Sequence, residues 1–205
     1  MSDLNKKETF LLEEYKTAVQ LTYQMDSLRN KITSFFISIA GISIAGFLLV
    51  IKGKDESINI SNLNEIVSII MLIVAILGHL FICVLAKIRK VQLEHFAIIN
   101  NIRKYFIELD YTMWNIVQLS DKTLPKARLF SGTYWWQFVI QVINGFILYL
   151  GILLLFDLLE DIITWKSFFI FCGTFIFSIL LQNLFYFKIA NGYLKVTYSE
   201  NSKPY

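Results

Sequence analysis

Charge is missing from four long stretches of this 205-residue sequence: no Asp, Glu, Lys or Arg occurs in 32–51, 66–86, 129–156 or 167–187. Over the whole chain charged residues reach only 17% and hydrophobic residues 56%, against about 25% and roughly 45–50% in soluble domains. Each uncharged run has at least 20 residues, and about 20 helical residues cover the ~30 Å hydrocarbon core of a bilayer. The runs are continuous rather than alternating, which excludes a β-barrel. Helices then remain as the only way to satisfy the backbone in lipid. The third run is too long for one crossing, so its span is placed at 134–156, after the breaker-rich stretch from Pro125 to Gly132.

Other scarcities narrow the function. Two cysteines, Cys83 and Cys172, both fall inside spans, too far apart to suggest a metal cluster or an exposed disulfide. The two histidines, His79 and His95, cannot make an HExxH pair, and no Gly-rich phosphate loop or GxSxG elbow is present. The sequence is therefore expected not to be an enzyme and to need no cofactor and no metal. The first 30 residues are polar and charged, and the first apolar run is too long for a signal-peptide core, so no cleavable signal is expected. No internal repeat links one half of the chain to the other.

What is present sets a topology. Of the 19 Lys and Arg residues, sixteen lie before the first span (Lys6, Lys7, Lys16, Arg29, Lys31), between spans two and three (Lys87, Arg89, Lys90, Arg103, Lys104, Lys122, Lys126, Arg128) or after span four (Lys188, Lys195, Lys203). The positive-inside bias assigns these segments to the cytoplasm. Aromatic belts agree: Tyr134, Trp135 and Trp136 open span three, Trp165 precedes span four, and Phe185, Tyr186 and Phe187 close it. The expected fold is all-α and polytopic, with four transmembrane helices and helical cytoplasmic extensions. Its segments are a cytoplasmic amphipathic helix (1–31), spans at 32–51, 66–86, 134–156 and 167–187, outer loops at 52–65 and 157–166, a cytoplasmic helix and loop (87–133), and a cytoplasmic tail (188–205). In the first outer loop Asn59-Ile60-Ser61 fits a glycosylation sequon.

The two cytoplasmic segments next to spans one and two carry helical periodicity. Leu11, Tyr15, Ala18, Leu21, Met25, Leu28 and Ile32 recur at steps of three or four, and so do Ile88, Val91, His95, Ile98, Ile102, Tyr105, Leu109, Met113 and Ile116. No Pro or Gly interrupts either stretch. Both spans should therefore continue as rods out of the membrane and bury their stripes against each other, or against other copies, as a stalk.

Polar residues inside spans are costly in lipid and face protein or water. Three stripes stand out: Ser34, Ser38, Gly41 and Ala45 in span one; Gln137, Gln141 and Asn144 in span three; Thr174, Ser178 and Gln182 in span four. Together with His79 they concentrate in the cytoplasmic half of the membrane. Two readings stay open: a polar vestibule closed outward by an apolar plug, or interhelical packing through small residues and amide hydrogen bonds. No acidic or basic residue in any span could partner His79, which argues against a proton- or ion-coupled transporter. At the inner face Arg89, Lys90, Arg103, Lys104, Lys122, Lys126 and Arg128 form a basic cluster that could contact a phosphate ligand or anionic lipid, or serve only as topology charge.

The stretch Leu28-Arg29-Asn30-Lys31-Ile32-Thr33-Ser34 leading into span one, with Ile99-Asn100-Asn101-Ile102-Arg103-Lys104-Tyr105-Phe106 after span two, resembles the membrane effectors of bacterial nucleotide-signalling defence operons, the SLATT-type two-span and related four-span families. The resemblance covers Glu8 to Leu119 and leaves out spans three and four. It implies an oligomeric pore or membrane-disrupting effector of the bacterial inner membrane, triggered during phage infection by a soluble partner protein or a nucleotide messenger. Membrane lipids and further copies of the chain are the other expected partners, and direct nucleic-acid binding is not expected. The alternative from the residues alone is a non-conducting membrane anchor or scaffold that recruits a soluble partner through its cytoplasmic helices.

Overall fold

A computed structural model describes residues 3–55, 63–109, 127, 129, 132–156, 158 and 165–192. The chain is all-α. The described residues form four helices, α1 (Asp3–Asp55), α2 (Leu63–Leu109), α3 (Gly132–Leu155) and α4 (Trp165–Ala190). All four are long and apolar enough to cross a membrane.

Lengths separate them into two kinds. At about 1.5 Å per residue, α3 and α4 are roughly 36 and 39 Å long, little more than a bilayer core, whereas α1 and α2 reach about 80 and 70 Å. The excess of α1 and α2 leaves the same end of the bundle as an antiparallel pair, here termed the stalk. Its contacts run in opposite directions along the two helices. The Gln92 amide donates to Asp26 Oδ1 (2.7 Å), Arg103 donates to the Tyr15 hydroxyl (3.2 Å), and the Lys7 ammonium lies 4.6 Å from the centre of the Tyr105 ring. Ala18 on α1 and Leu93, Ile99, Ile102 and Ile107 on α2 are buried along it. Lys104 pairs with Glu108 at 3.7 Å on its surface, an exposed i,i+4 contact that contributes at most a few tenths of a kcal/mol. Met113 and Ile116 of the expected stripe, and the loop from Leu119 to Ser131 apart from Ala127 and Leu129, lie outside the described residues, as do the Asn59 sequon and most of both outer loops.

Inside the membrane α2 and α3 form the centre. The helix α2 touches all three others, α3 touches all three, and α1 and α4 flank this pair without meeting each other. The core is made by Phe36, Phe47 and Val50 of α1, Met71, Ala75 and Ile82 of α2, and Ile140, Ile147 and Leu153 of α3. At the stalk end Tyr134 stacks on Phe187 (ring centres 6.0 Å apart) and the Asn191 side chain bonds the Ala127 backbone from both its amide ends (3.2 and 3.3 Å), which fixes the start of α3 to the end of α4. At the far end Ser68 donates to the Gly151 carbonyl and Tyr149 bonds Ser167, both at 2.8 Å. A methyl placed on Gly151 would lie 3.2 Å from Met71, tighter than ordinary contact, so glycine eases the close approach of α2 and α3 beside the Ser68 bond.

Candidate functional site

The polar stripes of spans three and four come together on α2; that of span one does not. Thr33, Phe36, Ala40, Ser43, Phe47 and Val50 are the buried face of α1, whereas Ser34, Ser38, Gly41 and Ala45 are exposed. Successive helical residues are about 100° apart, so the two faces adjoin but cannot both meet α2. The face with two Phe and a Val removes far more apolar surface from its surroundings, and dispersion favours it. Phe36 meets Phe81 edge-on at 5.7 Å, a contact the small stripe could not supply. Ser38 bonds back to the Ser34 carbonyl within α1 (3.0 Å), and a methyl added at Gly41 would touch nothing.

The other polar residues form one file. Nearest the stalk is Gln137, then Gln141, whose amide donates to Asn183 Oδ1 (3.2 Å). Next comes a cluster about halfway along the spans. Asn144 lies 3.0 Å from His79 Nδ1, the Gln182 amide is 3.5 Å from His79 Nε2, and Gln182 donates to Ser178 Oγ at 2.8 Å. Thr174, the last polar residue of the α4 stripe, instead bonds the Ile170 carbonyl of its own helix (2.8 Å).

His79 can be assigned from these neighbours. Its Nδ1 is 2.9 Å from the Ala75 carbonyl, which can only accept, so Nδ1 carries the hydrogen in the neutral ring. Nε2 is then free to accept from Gln182. Asn144 completes the set when its carboxamide oxygen faces Nδ1, a half-turn that exchanges groups of nearly equal shape. Gly78 makes the contact possible. Its Cα sits against the Asn144 carboxamide, and any side chain there would overlap it.

This file is buried and under-bonded. Gln141, Asn144 and Ser178 are fully buried and Gln182 is nearly so. Gln137 has neither its amide nitrogen nor its oxygen partnered, and Gln141 Oε1, Asn144 Oδ1 and Gln182 Oε1 also lack a partner as placed. Turning Asn144 gives its oxygen a partner and leaves its nitrogen without one. Each remaining orphan costs on the order of 1–3 kcal/mol unless a hydrogen-bonding group reaches it. Beyond the cluster, toward the end opposite the stalk, the same helices meet through Met71, Ile147, Leu150, Leu153 and Leu154.

Where the file reaches the stalk, a cleft opens between all four helices. Arg29 and Thr33 line it from α1, Leu85, Ile88, Arg89 and Gln92 from α2, Trp136 and Gln137 from α3, and Tyr186 from α4. It has about 310 Å³ of empty space counting its open mouth, of which only about 10 Å³ is enclosed enough to hold a water-sized group. Arg29 is bound to Asp26 at 3.0 Å, and Arg89 reaches Gln92 Oε1 at 3.4 Å. Both guanidinium Nε atoms are buried without a partner. Burial lowers the Arg89 pKa from its ordinary value; Tyr186 opposes that shift, Arg29 adds to it and Asp26 opposes it.

Of the basic residues singled out in the sequence, Arg89 alone lines this cleft. Lys90 is half-buried beside it in sequence, Arg103 and Lys104 belong to the stalk, and Lys122, Lys126 and Arg128 lie outside the described residues. Arg29, Gln92, Trp136 and Tyr186 are the site residues that periodicity missed. A sequence signal existed for one of them: Arg29, like Arg89, stands three residues from the edge of a charge-free run, so two antiparallel helices must carry the pair to one depth. Compared with family models, curated proteins and solved structures, the chain matches none of them.

Proposed function

We propose that the chain is an oligomeric effector of the bacterial cytoplasmic membrane, with both termini in the cytoplasm, that permeabilises the membrane when its stalk is triggered, in a setting such as anti-phage defence. The observation that carries this reading is the buried, under-bonded polar file from Gln137 to the His79 cluster. A helix bundle selected only to anchor would gain by filling these positions with aliphatic side chains. Amides that lack partners are instead ready to bind water when the helices shift, and the apolar contacts of Met71, Ile147 and Leu150 then form the barrier that must part.

Oligomerisation is supported by the exposed stripe of Ser34, Ser38, Gly41 and Ala45, small residues at the spacing that lets two helices approach in lipid. The trigger is assigned to the stalk because α1 and α2 are continuous from it into the spans, so a partner protein or nucleotide messenger bound there acts on both. The scaffold reading draws on Phe10 and Tyr23, 63% and 71% exposed on the stalk, as contacts for a soluble partner.

Induced expression with a membrane-potential dye tests the proposal. Cells carrying the gene and its operon neighbours should depolarise on phage challenge. Replacing Gly41, where an added methyl meets nothing within the protomer, by leucine should abolish depolarisation while leaving protein level unchanged. Unchanged potential with the intact operon refutes permeabilisation and leaves the scaffold reading.

A further inference from the structure

The cleft at the stalk end has the chemistry of an anion site, and we propose that it binds the phosphate of an anionic phospholipid head group. Two guanidinium groups face it from different helices, Arg29 of α1 and Arg89 of α2, each with a buried Nε–H that has no acceptor. Gln137, 3% exposed, adds an amide without any partner. The carboxylate at hand, Asp26, is already bound to Arg29 (3.0 Å) and Gln92 (2.7 Å). Two cations against one carboxylate leave the site positive. A phosphate oxygen supplies what the unpaired guanidinium donors lack, and charge-assisted bonds of this kind are roughly twice as strong as neutral ones.

Position argues for a lipid rather than a free anion. Arg29 precedes the charge-free run 32–51 by three residues and Arg89 follows 66–86 by three, so the cleft opens at the depth where lipid phosphates lie. Trp136, 56% exposed on its rim, is the residue type that settles at this interface. The cleft has room for about one oxygen-sized group. One non-bridging phosphate oxygen can therefore enter while the ester and acyl chains stay outside, alongside α1 and α4, which leave this side of the bundle open between them. Basic pockets between spans recognise anionic head groups in this way. The site is independent of whether the chain conducts.

The test uses the full chain, delipidated in detergent and examined by native mass spectrometry with phosphatidylglycerol, phosphatidylcholine or inorganic phosphate added. The expected result is one saturable phosphatidylglycerol per chain, with phosphatidylcholine at least tenfold weaker. Arg29→Gln with Arg89→Gln should lower phosphatidylglycerol occupancy on the order of tenfold or more. Lys104→Gln, which removes one positive charge from the exposed stalk, should leave it unchanged. Equal binding of the two lipids overturns the proposal, and this arm needs no variant to fold. An equal loss in Lys104→Gln overturns it in favour of diffuse surface charge. Saturation by inorganic phosphate at lower concentration than by phosphatidylglycerol overturns the lipid assignment in favour of a soluble anion.

Discussion

Replacing Gly78 by alanine places a methyl group where the Asn144 carboxamide now sits. Asn144 is fully buried and held against His79, so it cannot swing into open space; either the amide leaves the imidazole or α2 and α3 separate. Overpacking of this kind costs about 1–3 kcal/mol, and losing the amide contact adds about 0.6 kcal/mol, the average for a hydrogen bond between membrane helices. Asn144→Ala alone should cost little, since it gives up that one contact and also removes a carboxamide that is only partly bonded. In the double variant the new methyl enters the space the carboxamide vacated, and stability should return to within a few tenths of a kcal/mol of Asn144→Ala. The expected coupling energy is therefore about 1–3 kcal/mol. Equilibrium unfolding in mixed micelles with increasing SDS, followed by helical circular dichroism, measures it. If Gly78→Ala destabilises both backgrounds equally, the two residues do not share this space and the placement of the cluster is wrong.

Three further outcomes follow from single sites. Gln137→Leu should stabilise the delipidated protein by about 1–3 kcal/mol, because it removes two buried polar atoms that have no partner; a destabilisation in the same unfolding assay would mean the amide is bonded. Gln92→Ala should cost about 1–3 kcal/mol and increase proteolysis of the stalk, since Gln92 is 2% exposed and bonds Asp26 on the neighbouring helix. Ser68→Ala should cost only about 0.6 kcal/mol by thermal unfolding in detergent, because the Gly151 carbonyl it bonds lies in a helix where it already has a backbone donor.

The crossings were legible in the sequence because lipid imposes a one-dimensional rule: twenty uncharged residues in a row have few other uses. Single helices at Asp3–Asp55 and Leu63–Leu109 cover both the amphipathic segments and the first two spans, where no proline or glycine falls between them. Which face packs was harder to read. In water an amphipathic pattern marks the buried side, but in a span every face is apolar, so periodicity picked out the small residues Ser34, Ser38, Gly41 and Ala45 as readily as the Phe36–Phe47 face that α1 buries. The polar stripes of α3 and α4 were visible as steps of three and four. Their meeting at His79 depends on Gly78 leaving room for Asn144, and nothing in the spacing of either helix shows that. The cleft was the least legible part. Arg29, Arg89, Gln137 and Tyr186 are scattered over most of the chain and converge only because α3 and α4 end at the depth where α1 and α2 continue into the stalk, and as individual residues Arg29 looks like topology charge and Tyr186 like part of an aromatic belt.

The central claim is that the buried polar file takes up water when the helices shift and the apolar half parts. Cysteine accessibility measures this directly. In a background with Cys83 and Cys172 replaced by alanine, Gln141→Cys and Leu150→Cys are exposed to a membrane-impermeant methanethiosulfonate reagent in inverted membrane vesicles, before and after the trigger. The account predicts that neither position reacts at rest, where Gln141 is fully buried, and that both react once the membrane is permeabilised. Equal and lasting protection of both positions in depolarised membranes would contradict it.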